Sequence, residues 1–441
     1  MKHMSTKKQN YLLPIIMMIA LFGMISFVTG LANPMGVIVK NQFGASNFMA
    51  TLGYFANFIA YAFMGYPAGM LLQKIGYKKT ALIAIAVGFL GTGIQFLSGE
   101  FGSFEVYLLG AFVAGFSMCM LNTVVNPMLN KLGGGGNKGN QLIQVGGSFN
   151  SLMATIVPIL VGYFIGSNVE KANLTNAYPA LFLAMGIFAA AFLVLFFVNI
   201  PEPSLAVTKN NEKAPHSPFS FRHFTLGAVA IFLYVGIEVG IQNFINPYMT
   251  SLTNSEGELL YTATVAGSVV GTYWFLMLVG RLIGAAVGGS VSSKTMLTFV
   301  SALGIAFTLA AIFIPVEHTV SMPVFQSDIS FGMVQIPTSI MFLVLCGLCT
   351  SVMWGGIFNL AVEGLGRYTE AASGFFMVMV CGGGIIPLIQ GAVADSSGYI
   401  ESYWVIVVCL AFLLYYALIG SKNVNTDIPV DIAPESLPVE E

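Results

Sequence analysis

Residues 234–248 read YVGIEVGIQNFINPY, inside an apolar run at 224–252 that is long enough to cross a bilayer. Its middle carries Glu238, the one carboxylate of the chain that sits deep within a membrane-length segment. Gln242, Asn243 and Asn246 follow at steps of four, five and eight, so Gln242 and Asn246 share its helical face. A charge at the bilayer centre costs about 2.5–3.5 kcal/mol on insertion scales, which turns it toward a bundle interior. One carboxylate and three amides therefore point to a polar cavity among helices. Glu238 is either the group that couples cargo to an ion or a carboxylate locked by hydrogen bonds to neighbouring helices.

The rest of the chain has the same character. It has 441 residues, 56% hydrophobic and 8% charged, against about 25% charged in a soluble domain. Segments of about twenty apolar residues recur at 12–39, 48–72, 80–97, 104–132, 141–165 and 178–199. They resume at 224–252, 261–291, 295–315, 337–365, 373–394 and 403–420. The expectation is an all-α membrane protein with twelve transmembrane helices in two six-helix pseudo-symmetric halves, 1–200 and 223–421. A polar loop at 201–222 joins them and an acidic tail at 422–441 closes the chain. The first apolar run is too long for a signal peptide core and reads as a retained span.

Placing both termini in the cytoplasm puts nearly every Lys and Arg on that side, including Lys2, Lys7, Lys8, Lys131, Lys138, Lys209, Lys213 and Lys294. Only Lys40 and Lys171 fall outside, as the positive-inside rule requires of a bacterial-type inner-membrane protein. The halves also echo each other. Asn126 to Gly133 and Asn359 to Gly366 both read N-x5-L-G, and Gly65-x3-Gly69 is matched by Gly280-x3-Gly284. Such repeats are the mark of a transporter built from two halves.

Several other classes are excluded. No basic face or RNA-reading motif suggests a nucleic acid partner. The glycine run 133–139 has no preceding strand and no Ser or Thr where a phosphate loop needs one. Cys346 and Cys349 form a C-x-x-C inside a span with no nearby His, which reads as helix packing rather than as a metal or redox site. With one deep acid and no deep His, an enzymatic constellation is lacking, and no cofactor is expected beyond a co-transported ion.

Gly69-Met-Leu-Leu-Gln73-Lys74-Ile-Gly76-Tyr77-Lys78-Lys79 resembles the loop signature of the major facilitator superfamily, G-x-x-x-[DE]-[RK]-x-G-R-[RK]. Gln73 replaces the acid and Tyr77 a base, while Lys74, Lys78 and Lys79 remain as candidate gating cations that bind helix carbonyl ends. Tyr234 to Gln242, Asn122 to Pro127 and Ser148-Phe-Asn150-Ser151 resemble the fucose–galactose–glucose symporter family. Ala361 to Thr369 and Gly382 to Pro387 are similar to its glucose/galactose branch. The resemblance implies import of a glucose- or galactose-type monosaccharide by cation symport with alternating access. The fucose-transporting members carry an Asp near Pro34 or Met35, a Glu at Asn122 and a Gln at Gly147, so those two carboxylates are missing here. Coupling then falls to Glu238, which either titrates or stays ionised and helps to hold sodium. The missing acids leave a passive facilitator open, and a non-transporting sugar sensor is the other rival.

The candidate sugar-binding residues are Asn33, Asn122, Asn126, Asn150, Gln242, Asn243, Asn246 and Asn359, because an amide both donates to and accepts from hydroxyls. Trp354 and Trp274, backed by Phe149 and Phe244, are candidates to pack the apolar face of the ring. The alternative is that the amides tie transmembrane helices together at about 0.6 kcal/mol each. Asn33-Pro34 breaks or kinks the first span. Arg281 and Glu363 are expected to form a gating ion pair that loosens during transport, in a protein acting as a monomer.

Overall fold

Glycine decides where the second apolar run turns back. The computed structural model describes residues 11–43, 47–165, 174–202, 216–254, 256–326, 328 and 330–430. In it α1 (Leu12–Phe43) is followed by α2 (Asn47–Phe101), which is broken at Gly76 with φ 83° and ψ 179°. That backbone region suits a residue without Cβ. The break converts one long helical run into two crossings, where the sequence reading has 48–72 and 80–97. Glu202, just after the last helix of this half, fastens the corner by accepting from the N–H groups of Tyr77 at 2.7 Å and Lys78 at 2.8 Å. A carboxylate is favoured there because the second arm of α2 presents its unpaired N–H groups. Burial pushes the Glu202 carboxyl above its ordinary range, against the pull of those two N–H groups and of Lys79 and Lys78.

The first half continues with α3 (Phe104–Leu132), α4 (Gly136–Ile165) and α5 (Leu174–Phe197). The second holds α6 (Arg222–Ser251), α7 (Ala263–Val287), α8 (Ser293–Phe313), α9 (Thr338–Thr350), α10 (Met353–Val362), α11 (Thr369–Val378), α12 (Gly382–Ser397) and α13 (Tyr403–Tyr415). Among the described residues ten helical segments are long and apolar enough to cross a membrane. The segment Phe55–Phe101 contains two crossings because of Gly76, and α4 supplies the twelfth. The helices pair α9 with α10 and α11 with α12 into single crossings, Thr338–Val362 and Gly366–Ser397.

Three features depart from the sequence reading. The backbone of α1 is helical through Asn33-Pro34, so of the break and the kink weighed there the break is absent. The break lies instead between α9 and α10, at Ser351 and Val352. The loop before α9 also contains an antiparallel hairpin, β1 (Thr319–Phe325) and β2 (Phe331–Pro337), paired from Thr319↔Pro337 to Phe325↔Phe331. Met322, Val324 and Ile336 are buried on one face of it, and the N–H of Phe325 donates to Thr272 Oγ1 of α7 at 2.9 Å. Lys2, Lys7, Lys8, Lys171, Lys209 and Lys213, most of the loop and the last part of the tail lie outside the described residues, as does the side chain of Asn33.

The two halves meet most closely at the end that carries Lys78, Lys131 and Lys138. There α2 and α11 approach until a Cβ built on Gly374 would lie 2.5 Å from the Gly69 Cα, and one on Gly65 2.5 Å from the Val378 nitrogen. These are backbone atoms, so the contact cannot relax by a rotamer change. Gly374→Ala is expected to weaken closure of this end by about 1–3 kcal/mol, the usual cost of overpacking. The measurement is alkylation of Ser373→Cys, whose parent hydroxyl is buried against the Thr123 carbonyl at 3.2 Å. Alkylation at an unchanged rate in the Gly374→Ala protein would contradict the expectation.

Candidate functional site

A cavity of about 240 Å³ opens between the halves near mid-helix. Its polar wall from the first half consists of Ser26 and Thr29 of α1, Asn57 and Tyr61 of α2, Asn122 of α3, and Gln144, Asn150 and Ser151 of α4. Tyr234 and Glu238 of α6, Trp274 and Arg281 of α7, and Ser351 and Trp354 at the α9–α10 break face it from the second half. The volume lies just below the ~300–1,000 Å³ of sites for drug-sized ligands, as suits one small polar molecule.

Helical register explains who meets whom. Tyr234 and Glu238 are one turn apart, so their side chains stack on one face of α6, and the Tyr234 hydroxyl donates to the Glu238 carboxylate. The Tyr273 hydroxyl reaches the Glu238 carbonyl at 3.5 Å. Arg281 spans the seam: Nη1 donates to the Gly147 carbonyl at 2.9 Å and to Asn150 Oδ1 at 3.2 Å, and Nε to the Ser351 carbonyl at 3.3 Å. The cavity thus holds one acid and one guanidinium, set among neutral amides and hydroxyls. Ser151 Oγ is buried with no hydrogen-bond partner, an unused donor and acceptor in the wall.

Of the residues singled out in the sequence, Asn122, Asn150, Glu238, Trp354, Trp274 and Arg281 line the cavity. Asn126 and Gln242 do not. Both are buried, with their carbonyl oxygens occupied by indole N–H groups: Trp354 Nε1 donates to Asn126 at 2.9 Å, and Trp274 Nε1 to Gln242 at 3.2 Å. Asn243 is exposed, and Asn246 is half-buried away from the cavity with its carbonyl accepting from Thr250. Asn359 lies at the lysine-rich end, accepting from Asn130 at 2.7 Å and donating to Ser293 at 2.9 Å. Phe149 and Phe244 also stand outside the lining.

The pairing expected of Arg281 and Glu363 is absent. Arg281 is committed to three carbonyl oxygens, while Glu363 is exposed and its backbone carbonyl is bonded to His223 Nε2 at 2.9 Å. Lys74 and Lys79 are exposed, and Lys78 Nζ donates to the Phe196 carbonyl at 2.8 Å. The ion pair that does cross the seam joins Lys131 to Glu370 at 2.5 Å, with the Tyr77 hydroxyl donating to the same carboxylate at 3.1 Å. Gln141 and Gln144 add bonds from α4 to the carbonyls of Ala285 and Val352 at 2.9 and 3.1 Å. Among the described residues the cross-half hydrogen bonds lie at the cavity or between it and the lysine-rich end.

The sequence reading passed over Asn57, Tyr61, Gln144 and Ser151. Asn57 and Tyr61 stand one turn apart within an apolar span, the same signal that drew attention to Glu238 and Gln242.

A model of the Major Facilitator Superfamily matches residues 15–386. The glucose/galactose transporter of Brucella abortus (strain 2308) is 29% identical over 429 residues, covering 96% of this chain and 97% of that protein. The L-fucose-proton symporter of Escherichia coli is 24% identical over 446 residues and 95% of each chain. Among solved structures, the fucose transporter FucP in an outward conformation superposes with a TM-score of 0.77 at 20% identity, over 94% of this chain and 100% of that one. The proton:xylose symporter XylE superposes with a TM-score of 0.71 at 11% identity, over 95% and 97%.

Proposed function

The chain belongs to the Major Facilitator Superfamily, a family of membrane transporters, and from that premise we propose that it imports a glucose- or galactose-type hexose by cation symport. The observation that carries this reading is the cavity itself. Amides of the first half, hydroxyls of both halves, two indoles and the one deep acid of the chain meet there. A hexose matches such a wall, since its hydroxyls pair with amides and its C–H faces pack on aromatic rings. Curated relatives that match nearly end to end bear glucose/galactose and fucose transporter names, which supports the same substrate class.

The lysine-rich end is assigned to the cytoplasm of a bacterial-type inner membrane by the positive-inside rule. The halves are bonded together on that side, so in this reading the site loads from outside. Rocking of the halves would then expose it inward. Glu238 is the coupling group for H⁺ or Na⁺ in this reading, and the protein works as a monomer. One observation favours a passive facilitator instead: Asn122, where fucose-transporting members carry a Glu, faces the cavity as a neutral amide.

Counterflow in proteoliposomes, with labelled D-glucose and D-galactose, decides the substrate class. Uptake driven by a sodium or proton gradient decides coupling. Saturable counterflow of one of these sugars is the expected result, and its absence across a panel of hexoses and amino sugars would remove the reading. Counterflow without any response to either gradient would select the facilitator.

A further inference from the structure

We infer that Asn126, which lies behind the cavity wall, is the positioning residue that aligns the Trp354 ring with the Asn122 amide across the seam. The inference rests on the sugar reading above and specifies how the site is held. Asn126 is fully buried in α3 and both polar atoms of its amide are hydrogen-bonded. Its Oδ1 accepts the indole N–H of Trp354, from the other half, at 2.9 Å. Its Nδ2 donates to the Asn122 carbonyl at 2.9 Å and approaches Asn122 Oδ1 at 3.4 Å. Asn122 in turn donates to the Tyr61 hydroxyl at 2.9 Å. Tyr61, Asn122 and Trp354 face the cavity, and Asn126 alone of the four does not.

The division of donors and acceptors has a direct consequence. The indole N–H is consumed by Asn126, so Trp354 offers a ligand its ring face and no hydrogen bond. Tyr234 and Phe376 flank that ring at centroid distances of 6.2 and 6.5 Å, and its one hydrogen bond, to Asn126, adds a directional restraint to that packing. On the opposite wall, Asn122 has spent its amide hydrogens on Tyr61 and on the Met118 carbonyl. Asn122 Oδ1 then serves as an acceptor and the Tyr61 hydroxyl as a donor, one beside the other. Two adjacent sugar hydroxyls, one giving and one receiving, complement that pair while the C–H face lies on the indole. Asn126 is the group through which both surfaces keep their mutual setting.

The test is a double-mutant cycle with a spectroscopic arm. Asn126→Leu is expected to raise the KM for D-glucose or D-galactose counterflow about three- to tenfold, the worth of one buried hydrogen bond, with little change in maximal rate. Trp354→Phe, which deletes the N–H, is expected to raise it to a similar extent. The double variant should then be no worse than the weaker single one. Asn126→Asp, whose protonated form reproduces both bonds, should restore KM. In protein carrying Trp274→Phe and Trp404→Phe, Trp354 is the one remaining indole, and Asn126→Leu should shift its emission before any sugar is added.

Multiplicative effects of Asn126→Leu and Trp354→Phe, or an emission spectrum unmoved by Asn126→Leu, would overturn the inference. Should Asn126→Leu fail to fold, Trp354→Phe and Asn126→Asp probe the same bond from its two ends. Wild-type protein that moves neither sugar would remove the sugar reading, while the emission of Trp354 still decides whether Asn126 holds the ring.

Discussion

Glu238→Gln protein is expected to exchange labelled sugar across a vesicle membrane at near wild-type rates and to lose uphill accumulation altogether. Gln preserves the shape of the side chain and an oxygen that accepts from Tyr234, so the wall of the cavity keeps its form. What disappears is the charge. Glu238 shares the cavity with Arg281, and the other polar groups around them are neutral amides and hydroxyls. Glu238 is the one anionic side chain in the cavity lining, so it is the group that would neutralise a cation bound there. Symport requires sugar and cation each to stabilise the state that binds the other, and a neutral side chain removes one side of that linkage. The accumulation ratio should therefore fall to about one, with a KM for exchange that changes modestly. Gradient-driven accumulation that survives Glu238→Gln would place the coupling group elsewhere.

Lys131→Met is expected to open the lysine-rich end. Lys131 closes α3, Glu370 lies in the first turn of α11, and their 2.5 Å pair bridges the halves with Tyr77 as a third partner. The Glu370 side chain is 4% exposed and that of Lys131 20%. Removing one partner of a buried pair commonly costs about 3–5 kcal/mol because the other charge is left uncompensated. The cost falls on the closed state, where the pair is buried, and not on the open state, where water replaces it. A shift of that size moves the equilibrium by about 10²- to 4 × 10³-fold. Spin labels at Lys138 and Lys294, exposed at this end on opposite halves, would report it as a longer distance distribution. The exchange Lys131→Glu with Glu370→Lys should restore the short distances. If the distribution in Lys131→Met matches wild type, the latch lies elsewhere.

Hydropathy alone was enough to place the crossings, since a bilayer demands about twenty apolar residues wherever a helix passes. The corner at Gly76 was also readable, because glycine and three lysines stand together in a family-like loop. The site was legible in part, and the reason is geometric. Steps of four and eight put Gln242 and Asn246 on the face of Glu238, yet they also carry them about 6 and 12 Å along the helix axis. Gln242 meets Trp274 there, and Asn246 passes the cavity entirely. Asn359 matched Asn126 by repeat, but it sits where the halves seal rather than where they part. The sequence offers Arg281 a partner of opposite sign in Glu363, whereas its bonds go to carbonyls freed or presented by other helices. Partners supplied by another helix leave no trace in the spacing along one. The hairpin was hidden for a different reason: a short alternating stretch between long apolar helices reads as loop until its partner strand is known.

The interrupted helix between α9 and α10 ties the movement of the protein to its solvent. While the lysine-rich end is shut, the Val352 carbonyl at that interruption, which accepts from the Gly356 N–H, takes a second bond from Gln144 of the opposite half. Arg281 likewise takes two of its acceptors from across the seam. Parting the halves strips all of these bonds at once, and within a membrane only water can replace them. Reorientation is in that sense a hydration step, and raising the osmolality with a solute too large to enter should slow it.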